Sequence, residues 1–170
     1  MINTPLISFS TKDGLGKPSI NIHFKGCDKP NKCKGCHSPE LYNPPKQKYD
    51  MFNLIYKVEN KINFYLNDFV DELSICYMGG DPLTNWNIEY TYKVSKIIHE
   101  KYKLNNILYS WKTVKQIKKE NLLNKVNFMD FGILGEFDIE QKQDRQIPTS
   151  NNQYIYDFNN CKKIKSIKLK

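Results

Sequence analysis

The order of apolar patterns along the chain constrains its fold more than any other feature. Stretches in which apolar and polar residues alternate predict strands, and stretches with apolar residues at helical spacing predict helices. The strand-like stretches are SINIHFK, ELSICYM, NILYSW and VNFMDFGI, followed by QYIYDF and IKSIKLK. Helical patterns separate the first four: YDMFNLIYKVENKINFYL, Ile88 to Tyr102, and TVKQIKKENL with Thr113 as its cap. Strands that alternate with helices indicate βαβ units and a parallel sheet, so we predict one α/β domain over residues 1–170.

Three cysteines lie close together just after the first predicted strand. Cys27, Cys33 and Cys36 occupy a loop rich in Lys, Gly and Pro. The N-terminal stretch has no basic start, its apolar run is too short for a signal peptide, and no window reaches the length of a membrane span. We therefore expect a cytoplasmic protein without a membrane partner. Thiols stay reduced in that compartment, so clustered cysteines indicate metal ligation or catalysis rather than disulfides.

The cysteine loop by itself leaves three kinds of site open. Three thiolates would hold a [4Fe–4S] cluster with one iron left free for a substrate or cofactor. A closed zinc site would need a fourth ligand, which His23 or His37 could supply. CKGCH also fits the C-x-x-C-H haem-attachment pattern, although covalent haem normally belongs to exported proteins. Cys76, inside an apolar strand, and Cys161, in a Lys-rich segment, are expected to be dispensable.

A second motif, MGGDP, follows the second predicted strand. Gly79 and Gly80 let the backbone approach a ligand closely, and Asp81 adds a carboxylate beside an expected ammonium group. A plain Gly-Gly-Asp-Pro turn is the alternative. The carboxyl ends of parallel strands lie at one edge of a sheet, so this motif and the cysteine loop are expected to form a composite site.

The positive charge of the chain does not by itself indicate nucleic-acid binding. The net charge is +8, but Arg145 is the sole arginine. Arginine is the residue suited to bidentate phosphate and guanine contacts, and the lysines are spread along the whole chain. We therefore interpret them as solvated surface and expect no nucleic-acid partner. Such a surface also suits the docking of a large acidic partner.

Taken together, these segments resemble the small radical S-adenosylmethionine (SAM) activases of glycyl-radical enzymes, in particular those of anaerobic ribonucleoside-triphosphate reductase. KDGLGKPSINIHFKGC is similar to the family's DGPG lead-in and first strand, CKGCHSPEL to its CPGC cluster loop, and YMGGDPL to SGGDPL. LYSWKTVKQI resembles YTGYTFEEL, MDFGILGEFDIE resembles IDVLVDGRF, and TSNNQYIYD resembles the closing SSNQRIID. The order and spacing of these segments carry the resemblance.

The chain also departs from the family pattern at three places. Its first cysteine spacing is C-x5-C, whereas the common radical SAM loop has C-x3-C. Gly35 stands where many radical SAM proteins have an aromatic residue. LYSWK lacks the glycine of YTGYT, which leaves ligand contacts at Ser110, Trp111 and Lys112 open.

The resemblance implies a fold and a set of ligands. The fold would be a partial, open (β/α) barrel of radical SAM type, with a cluster loop at residues 26–37 and a SAM motif at residues 79–82. Cys27, Cys33 and Cys36 would ligate a [4Fe–4S] cluster, and SAM would bind its free iron. Gly79, Gly80 and Asp81 would hold the methionine amino group of SAM, chiefly through backbone atoms. No catalytic residue beyond the cluster and SAM is implied.

The resemblance also implies an activity. The protein would cleave SAM reductively under anaerobic conditions and generate a glycyl radical on a partner, the anaerobic ribonucleotide reductase. An electron donor such as flavodoxin or ferredoxin would reduce the cluster. Two other hypotheses stay open: a different small radical SAM enzyme acting on a peptide or small molecule, and a non-catalytic zinc-binding interaction module.

Overall fold

A mixed sheet with helices between its central strands forms the framework of the computed structural model, which describes residues 4–169. The helices are α1 (Met51–Asp68), α2 (Ile88–Ile97) and α3 (Val114–Lys119). The strands are β1 (Leu6–Ser10), β2 (Ser19–Phe24), β3 (Ser74–Gly79), β4 (Asn105–Ser110), β5 (Phe131–Leu134), β6 (Gln146–Ile147), β7 (Tyr154–Asp157), β8 (Lys162–Ile164) and β9 (Ile167–Lys168).

The centre of the sheet is parallel, as the sequence predicts. Strands β2, β3, β4 and β5 are parallel neighbours, within a seven-stranded order β1-β2-β3-β4-β5-β7-β8. Strands β1, β7 and β8 pair antiparallel at the two sides, and β6 pairs with β9 in a separate small sheet. The structure is therefore a mixed α/β fold, and the partial radical SAM barrel remains a prediction.

The predicted elements differ from the structure in several places. Strand β1 was not predicted, because an edge strand with Leu6 exposed and Ile7 and Phe9 half-buried gives only a weak alternation. VNFMDFGI is a strand only from Phe131 onwards, since Val126 and Met129 are buried in the turns that precede it. The predicted helix from Ile88 ends as α2 and continues as a π-helical turn over Ile98–Tyr102.

Side chains satisfy the first free backbone N–H groups of α1 and α3. Asp50 caps α1 by accepting a hydrogen bond from the Asn53 N–H, 3.0 Å away. Thr113 and Gln116 form a capping box at α3, which confirms the predicted cap. The buried stripe of α1, at helical spacing, is Leu54, Val58 and Ile62.

The two faces of the sheet are covered by different elements. The three helices pack on one face, against residues such as Ile22, Tyr77 and Leu108. The other face carries Cys76, Ile107, Ile133 and Ile155, covered in part by Ile147 of β6 and Ile167 of β9. Successive side chains of a strand point to opposite faces of the sheet, so the same strands supply buried residues to both faces. Within residues 4–169, no helix is both long and apolar enough to cross a bilayer.

Candidate functional site

The cysteine loop starts directly after β2 and is fixed at its first two residues. Gly26 has φ +95°, a left-handed conformation that favours glycine. Its N–H donates to the Leu41 carbonyl at 2.8 Å, and the Cys27 N–H donates to the Tyr42 carbonyl at 3.0 Å. These two hydrogen bonds therefore hold the start of the loop beside residues 41 and 42, which follow the end of the loop.

The three cysteines of the loop line one cavity of about 400 Å³. Cys27, Cys33 and Cys36 are all half-buried free thiols, and the Cys36 N–H donates to the Cys33 carbonyl at 3.2 Å. Burial raises the pKa of Cys27 to about 11, and burial also raises the pKa of Cys33. These two groups are therefore neutral thiols in the metal-free loop, and metal binding would release their protons.

The cavity allows a test of whether these residues fit an iron–sulfur cluster. Within residues 4–169, no group of three His, Cys, Asp or Glu side chains is arranged to hold a metal ion. The thiolates of a [4Fe–4S] cluster bind different irons, so they surround a volume instead of converging on one ion. Three thiols that line one roomy cavity suit this requirement. The donor set fits a cluster with one iron free of protein ligands.

The MGGDP motif packs directly against the start of the cysteine loop. The Gly80 N–H donates to the Phe24 carbonyl at 2.8 Å, and the Asp81 N–H donates to the Gly26 carbonyl at 2.7 Å. Gly79 and Gly80 line the same cavity as the three cysteines. The structure therefore brings the two sequence motifs together at the carboxyl ends of β2 and β3.

The carboxylate of Asp81 turns away from the cavity. It is fully buried and accepts hydrogen bonds from the Leu83 N–H (2.7 Å), the Ser110 hydroxyl (2.7 Å) and the Trp111 N–H (3.1 Å). Burial raises its pKa to about 6. The side chain thus holds the end of β4 against β3, and any contact of this residue with a ligand would use its backbone.

The end of β4 also binds the cysteine loop, a role that sequence patterns did not reveal. The Trp111 indole N–H donates to Asp28 at 3.0 Å, and the Lys112 ammonium lies 2.9 Å from the other Asp28 oxygen. Lys112 is 2% exposed and makes a second ion pair with Glu120 at 3.1 Å. Ser110 and Trp111 line the cavity, whereas Lys112 does not. Asp28 is more than 80 positions from Trp111 and Lys112 in the sequence, so no local sequence pattern predicts these contacts.

A further part of the cavity wall comes from β5 and the segments after it. Gly135, Phe137, Pro148 and Gln153 line it, and the Gly135 N–H donates to the Ser110 carbonyl at 3.1 Å. The cavity volume lies within the range of roughly 300–1,000 Å³ typical of small-molecule sites. Sequence reasoning named none of these residues as site residues, because they reach the cavity only through strand order.

The two histidines proposed as zinc ligands have other contacts. His37 is exposed at the cavity and its ring lies 4.2 Å from the Phe137 ring. His23 is hydrogen-bonded to the Ser8 hydroxyl at 2.8 Å, and burial lowers its pKa. Cys76 is buried on the sheet and Cys161 is exposed, and neither lines the cavity.

Comparison with known families adds an independent observation. Residues 13–156 match the family model described as a 4Fe-4S single cluster domain. The matched range contains the cysteine loop, the MGGDP motif and the end of β4. No curated protein and no solved structure matches the chain.

Proposed function

The chain belongs to the 4Fe-4S single cluster domain family, and from this premise we propose that it is a radical SAM activase. Its substrate would be a glycine of an anaerobic ribonucleoside-triphosphate reductase. One observation carries the proposal: three cysteine thiols and the backbone of Gly79 and Gly80 line the same cavity. The resemblance of the whole run of segments to glycyl-radical activases supports the choice of partner.

The cysteine loop would hold the cluster. Cys27, Cys33 and Cys36 supply the thiolates, and Asp28 fixes the loop to Trp111 and Lys112. When bound, the cluster would supply one electron for the reductive cleavage of SAM to methionine, and a hydrogen atom taken from glycine would complete 5′-deoxyadenosine and leave a glycyl radical. The protein contributes orientation and protection from water.

The MGGDP backbone would orient the amino acid end of SAM. The Gly80 N–H already donates to Phe24 at the end of β2, and the Asp81 N–H donates to Gly26 at the start of the cysteine loop. Within residues 4–169, no hydrogen bond occupies the Gly80 carbonyl oxygen. A free carbonyl is an acceptor and suits an ammonium group. The Asp81 carboxylate would act indirectly. Its hydrogen bonds with Ser110 and Trp111 would hold the turn that carries the Gly80 carbonyl against the end of β4.

The test is an anaerobic assay with the reconstituted protein, dithionite, SAM and the reductase. We expect methionine, 5′-deoxyadenosine and a doublet electron paramagnetic resonance (EPR) signal on the reductase. Cleavage of SAM without a radical on any cognate reductase would contradict the activase role and favour another radical SAM enzyme. A colourless protein that carries zinc would contradict both and favour an interaction module.

A further inference from the structure

A second concave surface lies behind the cysteine loop, outside the cavity described above. This groove, which we call the Trp86 groove, has a volume of about 520 Å³ and lies between residues 45–51 and the start of α2. It shares no lining residue with the cavity of the three cysteines. Aromatic and basic side chains dominate it: Tyr49, Trp86 and Tyr90 with Lys46, Lys48 and Lys93.

The charge of the Trp86 groove is positive and uncompensated. Within residues 4–169, the ammonium groups of Lys46, Lys48 and Lys93 form no ion pair and no hydrogen bond. The acidic residue that lines the groove, Glu89, is paired with Lys125. The nearby Asp50 is used as the cap of α1. Such a surface attracts an acidic protein.

Trp86 connects this groove to the cysteine loop. Its side chain is 38% exposed, and a Cβ placed on Gly26 would lie only 2.9 Å from the Trp86 ring. The ring therefore packs on the backbone of the residue that precedes Cys27. The segment that carries Lys46 and Lys48 begins just after Tyr42, whose carbonyl accepts the Cys27 N–H. Through the Trp86 ring, the Trp86 groove is thus in contact with the backbone next to Cys27, the first of the proposed cluster ligands.

We propose that the Trp86 groove docks the acidic one-electron carrier protein that reduces the cluster. The inference rests on the proposed function, because it needs a cluster at Cys27. One electron leaves the carrier and enters the cluster, and no bond forms or breaks. A carrier in the groove leaves the cavity open for SAM and the glycine of the partner. Contact with the cluster loop favours a redox carrier over single-stranded nucleic acid, which stacked aromatics and lysines can also bind.

The first test measures binding and not turnover. The probe is oxidised flavodoxin, titrated into the anaerobic holoprotein at low and high ionic strength. We expect Lys46→Glu with Lys48→Glu to weaken binding about tenfold at low salt, and the difference to shrink as salt screens the charges. The matched control, Lys165→Glu with Lys168→Glu, makes the same charge change at exposed positions after β8 and in β9. It should change affinity by no more than about twofold.

The second test separates docking from the chemistry of the cluster. Reduction by reduced flavodoxin should slow in the Lys46 and Lys48 double variant and in Trp86→Ala, while reduction of the double variant by dithionite stays unchanged. Trp86→Phe, with an aromatic ring kept on Gly26, should recover part of the rate if the ring belongs to the docking surface. Cluster content and circular dichroism of each variant identify any folding defect.

The outcomes distinguish this inference from the proposed function. Equal flavodoxin affinity in the groove and control double variants would overturn the groove as a docking site. The inference would also be overturned if the wild-type protein bound an oligonucleotide but not flavodoxin, and if only the groove variants lost the oligonucleotide binding. If the wild-type protein binds flavodoxin at the groove but dithionite yields no SAM cleavage, the docking inference stands and the proposed function fails.

Discussion

Gly79 lies where the end of β3 meets the start of the cysteine loop. Its φ is +103°, and a Cβ there would lie 2.5 Å from the Phe24 carbonyl oxygen. A Cβ on Gly80 would lie 2.3 Å from the Gly26 carbonyl oxygen. The predicted reason for these glycines was close approach to a ligand, and the structure adds another: any larger residue collides with the backbone from which Cys27 emerges.

This leads to the first prediction, a comparison of two glycines. Gly79→Ala should lower stability by about 2–4 kcal/mol and reduce iron and sulfide content, because both the φ strain and the clash displace the cysteine loop. Gly16→Ala is the control, since Gly16 also has a positive φ (+87°) but a Cβ there has 3.4 Å to its nearest neighbour. It should cost about 1–2 kcal/mol and leave cluster content unchanged. Denaturant unfolding measures the stability of both variants, and iron assays measure their cluster content. Equal cluster content in Gly79→Ala and Gly16→Ala would contradict the role of close packing at Gly79.

At the scale of elements, the end of β4 joins the two halves of the site. Ser110 and the Trp111 backbone bind Asp81, while the Trp111 and Lys112 side chains bind Asp28. Burial alone would lower the pKa of Lys112, but its bonds with Asp28 and Glu120 outweigh burial and raise it. The ammonium is therefore charged, and it links the cysteine loop to the C-terminal end of α3.

The second prediction tests this link. Lys112→Met keeps the aliphatic volume but leaves Asp28 and Glu120 without their cation. We expect a loss of about 1–3 kcal/mol, less than for a fully buried pair because both carboxylates are partly exposed. Lys118→Met, at an exposed position on α3 close to Glu120 in sequence, should cost less than about 0.5 kcal/mol. Urea midpoints measure both, and similar midpoints for the two variants would show that the Lys112 ion pairs contribute little.

At the scale of the whole molecule, the cluster is expected to act as a crosslink. Residues 26–37 contain no strand, and a few backbone hydrogen bonds hold the loop to its surroundings. A group that binds the folded state and not the unfolded chain raises the unfolding temperature. Cluster binding to three points of this loop should therefore stabilise the domain.

The third prediction follows from this. Anaerobic cluster reconstitution should raise Tm by about 4 °C or more, and removal of iron with a chelator should reverse the change. Cys33→Ala should abolish both the increase and the full iron content. Cys161→Ala, an exposed cysteine outside the cavity, should retain both. Full cluster content in Cys33→Ala, or its loss in Cys161→Ala, would contradict the ligand assignment.

The sequence by itself determined those features that local patterns encode. Short strand-like stretches of apolar residues identified β2, β3 and β4, and helical spacing identified α1 and α2. Both motifs directly follow parallel strands, so their meeting at one edge of the sheet could be predicted without coordinates.

Only the tertiary structure decided how the motifs are held and what surrounds them. The bonds of Asp28 to Trp111 and Lys112 join residues more than 80 positions apart, and Asp81 reaches Ser110 across 29 positions. The part of the cavity wall that follows β5 and the contact of Trp86 with Gly26 likewise depend on strand order and register. Such contacts have no periodic signal in the chain, because distant segments become neighbours only when the sheet is assembled.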